Sequence, residues 1–136
     1  MPDASLSDLS VSIEASSSAV RLPAKRWSIS WTIRNQSPCP LEIHELRMPH
    51  DQFRAEDMTV HPPFLIPGSS VGSLSSVVEF DEPPGSTLTY PFLILRAKWH
   101  GVPCRLFGRL RVESSADGAP HPICEEVTIR ALSAER

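Results

Sequence analysis

Apolar and polar residues alternate with a period of two along most of this chain. Residues 9–15, LSVSIEA, put Leu9, Val11, Ile13 and Ala15 on one face and Ser10, Ser12 and Glu14 on the other. That is the pattern of a half-buried strand. The serine run at 16–18 breaks it, and residues 19–22 resume as an edge before Pro23. Residues 27–34, WSISWTIR, alternate more strongly, with Trp27, Ile29, Trp31 and Ile33 inward. Two tryptophans in one register mark a central core strand. After the turn NQSPCP, residues 41–49 begin with Leu41 and Ile43 inward and slip phase to Leu46 and Met48, which a one-residue bulge explains. Residues 50–66 read as irregular, with one helical turn around FRAEDM. Pro67-Gly68 is a turn signal, and a strand follows through Leu74, Ser76, Val78 and Phe80. DEPPG at 81–85 and SSADGAPHP at 114–122 are loops, and ICEEVTIRAL ends the pattern with Ile123, Val127 and Ile129 inward.

Residues 91–112, PFLILRAKWHGVPCRLFGRLRV, form the most regular stretch and predict a hairpin turning at HGVP. If Trp99 faces Cys104, the inward set is Leu93, Leu95, Ala97 and Trp99 against Cys104, Leu106, Gly108, Leu110 and Val112. Gly108 then leaves room for a large neighbour such as Trp31. The outward set is Phe92, Ile94, Arg96 and Lys98 against Arg105, Phe107, Arg109 and Arg111, with Lys98 directly beside Arg105. Like charges so placed destabilise a strand pair, and arginine interleaved with phenylalanine is the composition enriched at interfaces. The competing reading is that arginine stems merely shield the two phenylalanines, or that the 50–66 segment covers them.

Seven to eight short strands with frequent turn signals predict an all-β chain, an antiparallel two-sheet sandwich in a single domain over 1–136. A Trp-bearing strand, the turn residues Asn35, Ser37, Pro40 and Leu41, and a later Pro67-Gly68 before a strand resemble the immunoglobulin-like accessory modules of bacterial proteins. The resemblance covers roughly residues 27–112 and implies a binding or scaffolding role. It departs from antibody-type domains, because no cysteine pair brackets a strand tryptophan.

Composition sharpens this picture. Fourteen prolines exclude long helices, since each removes an amide donor and clashes with the preceding turn. Against a net charge of −3, residues 91–112 carry +5 and no acid, leaving −8 elsewhere. Acids gather at Glu42, Glu45, Asp51, Glu56 and Asp57, and again at Glu79, Asp81 and Glu82. Segregated charge points to an acidic protein surface or a second copy as partner, and argues against nucleic acid or a membrane. Nothing resembles a signal peptide or a membrane span, so the expected location is the cytoplasm if the chain is full length, and secreted or periplasmic if a signal was removed. Three cysteines, Cys39, Cys104 and Cys124, lack metal spacing; the odd count favours a reducing compartment, although a Cys104–Cys124 bridge stays open. Cys39, between two prolines, is expected to be exposed.

No nucleophile elbow, phosphate cradle or acid pair argues for an enzyme or a cofactor. Glu125–Glu126 are strand neighbours and are expected to face opposite ways. His44, Met48, His50, Met58 and His61 have the ligand types of a copper carrier but no fixed spacing. The reading that follows is a non-catalytic module binding a partner protein through Phe92, Arg96, Lys98, Arg105, Phe107, Arg109 and Arg111. Its alternatives are a small copper carrier and a purely structural domain.

Overall fold

Alternation decides which face each strand buries. In the computed structural model, which describes residues 6–16 and 19–132, a short 3-10 turn at Leu6–Asp8 precedes ten strands. They are β1 (Val11–Ala15), β2 (Val20–Leu22), β3 (Arg26–Asn35), β4 (Leu41–His50), β5 (Phe53–Ile66), β6 (Ser70–Glu79), β7 (Thr87–Leu88), β8 (Phe92–Trp99), β9 (Val102–Ser114) and β10 (Pro120–Ala131). Ser17 and Ser18 of the serine run, like residues 1–5 and 133–136, lie outside the described residues.

All pairings are antiparallel, and the strand order is β1-β3-β6-β5-β4-β8-β9-β10, with β2 on β3 and β7 on β9. The sheet curls into a nearly closed barrel: β1 and β10, at the two ends of the order, lie alongside each other without pairing. Ten strands in one curled sheet thus replace the seven or eight expected in two clearly separate sheets. The weakest seam is β5–β6, held by the single pair Arg54↔Glu79. Beside it, β5 and β6 part around a cleft of about 460 Å³ lined by Ala55, Met58, Ser75 and Ser76.

The core follows the inward positions. Trp31, Trp99, Phe53, Ile29, Ile33, Leu41, Ile43, Leu46 and Met48 are fully buried. Each buried indole N–H finds an acceptor, as burial requires. Trp31 Nε1 donates to Ser76 Oγ at 2.8 Å, Trp27 Nε1 to the Phe80 carbonyl at 3.3 Å, and Trp99 Nε1 to Ser37 Oγ at 2.8 Å. The NQSPCP turn is built on Asn35, which is wholly buried at the end of β3. Its amide donates to the carbonyls of Cys39, Ile66 and Pro67, and its Oδ1 accepts from Ser37 N and Ser37 Oγ. The two turns that this side chain ties together touch directly: a Cβ on Gly68 would lie 2.1 Å from the Pro38 carbonyl oxygen.

The bulge expected in β4 is present, since both its pairings shift register between Ile43 and Glu45. Residues 50–66, in contrast, are not irregular. From Phe53 they form β5, in which Phe53 and Ala55 are buried while Arg54 and Glu56 are exposed. Pairing with β4 supplies what the interrupted sequence pattern lacked. Because β5 lies on the side of β4 away from β8, it does not cover the hairpin.

The β8–β9 hairpin keeps the predicted faces and loses the predicted register. Trp99 faces Val102, so the turn is only His100-Gly101, and both residues have positive φ (50° and 78°). Two left-handed central residues match the twist of paired strands, and histidine and glycine tolerate that conformation better than most. A two-residue slip preserves parity, so the whole inward set is still buried. Gly108 pairs with Leu93, and the space above it is taken by Cys124 Sγ and Ile13 Cδ1 rather than by Trp31.

Candidate functional site

The outer face of β4, β8, β9 and β10 can be described in cross-strand rows. One row is Glu45–Arg96–Arg105–Arg130, the next Arg47–Ile94–Phe107–Thr128, and a third Phe92–Arg109–Glu126. Lys98 faces Glu42 on one side and Pro103 on the other, so its predicted position beside Arg105 is corrected. The like-charge contact exists nonetheless, with Arg96 and Arg130 flanking Arg105. Phe92 is 39% exposed, while Ile94 and Phe107 are half-buried in the middle of the face.

Charge on this face is divided. A β-bulge in β10 between Cys124 and Glu126 adds one residue and turns both acids toward β9. Glu125 and Glu126 therefore do not oppose each other: Arg109 Nη1 lies 3.4 Å from Glu126 Oε1, and Arg109 Nε 4.0 Å from Glu125 Oε1. Arg111 lies 3.8 Å from Glu125 and 3.5 Å from Glu113, the latter without hydrogen-bond geometry at Nε. Arg47 pairs with Asp57 at 3.2 Å and Arg96 with Glu45 at 3.5 Å. Among the described residues no acid lies within 4.0 Å of Lys98, Arg105 or Arg130.

The same bulge reverses the phase of β10. Ile123, expected inward, lies opposite Arg111 on the outer face, whereas Cys124, Val127 and Ile129 pack on the core. The expected inward positions of Val127 and Ile129 already left Thr128 and Arg130 outward; their place on this face comes from the pairing of β10 with β9. For the bulge the signal was present, since two consecutive glutamates interrupt an otherwise regular alternation.

The other candidates are dispersed. Cys104 is buried and Cys124 half-buried, and both are free. Cys104 pairs with Ala97 and Ala131, and Cys124 with Leu110, so six residues of β9, roughly 20 Å, separate their positions. The Cys104–Cys124 bridge is excluded, since a disulfide needs Cα atoms within about 7 Å. Cys39 is half-buried rather than exposed. Burial pushes the Cys104 thiol up from 9.0 to about 11, and burial likewise raises Cys124 against the opposing Glu126 backbone contact and Arg109 charge. Met48 is fully buried in the core, and Met58 packs half-buried against it. His44 lies 3.2 Å from Glu42, His50 Nδ1 accepts from Gln52 N at 3.1 Å, and His61 is exposed ahead of a cis peptide to Pro62. Among the described residues no group of three or more His, Cys, Asp or Glu is placed to hold a metal ion. No described helix is long and apolar enough to cross a membrane.

Comparison with protein-family models and with curated protein sequences finds no match for this chain.

Proposed function

We propose that this domain is a non-catalytic protein-binding module, and that its partner docks on the outer face of β8 and β9. One observation carries the reading: Ile94 and Phe107 sit in the middle of a sheet face edged by guanidinium groups, with Phe92 at its margin, and no described strand lies over them. Apolar centre with a charged rim is the layout of protein interfaces, in which charge steers and orients while aromatic contact holds. The partner surface is acidic, on another protein or on a second copy. At the finer level of architecture we read the barrel as an immunoglobulin-like pair of sheets, β1-β3-β6 with β2 also on β3, and β5-β4-β8-β9-β10 with β7 on β9. The lone Arg54–Glu79 bridge and the adjoining cleft support the division. Three free thiols favour a reducing compartment.

The test compares wild type with an Arg105→Glu/Arg109→Glu variant in affinity capture from native lysate, after circular dichroism shows both are folded. Loss of a captured protein at unchanged melting temperature supports the binding face. Identical capture refutes it and leaves the domain a structural spacer.

A further inference from the structure

The two ends of this face differ in a way that composition alone hides. Toward the strand ends that meet β7, the cations are already matched: Arg109 by Glu125 and Glu126, Arg111 by Glu113 and Glu125. Toward the His100-Gly101 turn, Arg96, Arg105 and Arg130 stand in one row across β8, β9 and β10. Glu45 meets only the Arg96 end of that row, at 3.5 Å. Lys98 adds a further cation two residues along from Arg96 on the same face of β8; Glu42 stands opposite it on β4, with its carboxylate 3.2 Å from His44 Nε2 and not within 4.0 Å of Lys98.

We infer that this acid-poor end, Arg96, Lys98, Arg105 and Arg130, is where an acidic segment of a partner protein docks; the inference rests on the binding-face reading above. Neighbouring strands lie about 4.8 Å apart, so the three arginines span about 10 Å. Such a span suits two or three carboxylates on one extended segment. Like charges opposite each other destabilise a sheet, and the two acids of β10 nearest this row, Glu125 and Glu126, lie against Arg109 and Arg111 and not against Arg105 or Arg130. An incoming carboxylate relieves that repulsion and gains charge-assisted hydrogen bonds. Ile94 and Phe107 in the adjoining row give the segment an apolar residue to rest on. A long polyanion is disfavoured, because the chain as a whole carries −3.

The test is fluorescence anisotropy with a short fluorescein-labelled peptide rich in glutamate around a central leucine. Arg105→Gln/Arg130→Gln is expected to weaken binding roughly tenfold, since each exposed ion pair contributes up to about fivefold. Arg109→Gln/Glu126→Gln removes a cation together with its acid and keeps the net charge, so it is expected to weaken binding less than Arg105→Gln/Arg130→Gln does. Arg105→Lys/Arg130→Lys keeps both charges and should retain most of the affinity, which separates loss of charge from loss of fold. Several outcomes overturn the inference: no peptide binding by wild type, equal loss on Arg34→Gln at the opposite side of the barrel, or tighter binding of oligothymidylate. Loss confined to the Arg109/Glu126 variant also overturns it while leaving the face itself a binding surface. Failure of the face as a whole is read separately, from unaltered capture by Arg105→Glu/Arg109→Glu.

Discussion

The hydrogen-bond relay from Trp99 through Ser37 to Asn35 offers the sharpest test of how the hairpin is anchored. Trp99 is fully buried, and its Nε1 donates to Ser37 Oγ at 2.8 Å. Ser37 Oγ in turn donates to Asn35 Oδ1 at 2.6 Å, and it lies 3.2 Å from the Cys39 carbonyl. Ser37→Ala removes the acceptor of the indole N–H. The remaining groups keep partners, because Asn35 Oδ1 still receives Ser37 N at 3.1 Å and its amide still reaches the Cys39 carbonyl at 2.8 Å. One buried donor is left orphaned, which costs about 1–3 kcal/mol. For a domain of this size about 2 kcal/mol lowers the melting temperature by roughly 8 °C. In a Trp99→Phe background no indole N–H exists, so Ser37→Ala should then cost less than about 0.7 kcal/mol. The assay is urea unfolding of wild type, both single variants and the double variant, followed by far-ultraviolet circular dichroism. A coupling energy of about 1–2 kcal/mol is expected. If the cost of Ser37→Ala is the same in both backgrounds, the indole bond carries no net stability and the argument fails.

Gly68→Ala should be among the most damaging single substitutions, at about 3 kcal/mol or more, because its Cβ would sit 2.1 Å from the backbone oxygen of Pro38 and relief requires backbone to move. A measured loss below about 1 kcal/mol would show that the turns can separate. Cys104 predicts an alkaline decline in stability. Its folded thiol is held up at about 11 against 9.0, so its contribution is complete below pH 9 and is lost as pH rises toward 11. By pH 10.5 wild type should lose about 2 kcal/mol more than Cys104→Ala, as read by urea unfolding of both; parallel losses would refute it. Gly101→Ala, at φ +78° with open space around it, should cost only about 1–2 kcal/mol and leave the hairpin register intact. Cross-strand nuclear Overhauser contacts between Trp99 and Val102 check that register.

Period-two patterning alone determined the all-β class, the inward faces of β1, β3 and β6, the slip in β4 and both faces of the hairpin. A side chain that is wrongly faced exposes apolar surface to water, so face assignment is written residue by residue along the chain. What needed the tertiary structure were the features decided between strands. The hairpin register depended on a turn conformation that two positive-φ residues made tight, and a shift of two left the pattern unchanged. β5 was hidden by histidine and prolines within 50–66, and only its pairing with β4 makes it a strand. Curling of the sheet brought β1 beside β10, a contact between segments over a hundred residues apart. Most consequential is the bulge at Glu125. A single extra residue, whose position was settled by the partner strand, put Ile123 on the outer face together with Thr128 and Arg130, and set Glu125 and Glu126 beside Arg109 and Arg111. Among the described residues no acid lies within 4.0 Å of Arg105 or Arg130. Composition counted five cations on the hairpin; spatial neighbours decided which of them remain available to a partner.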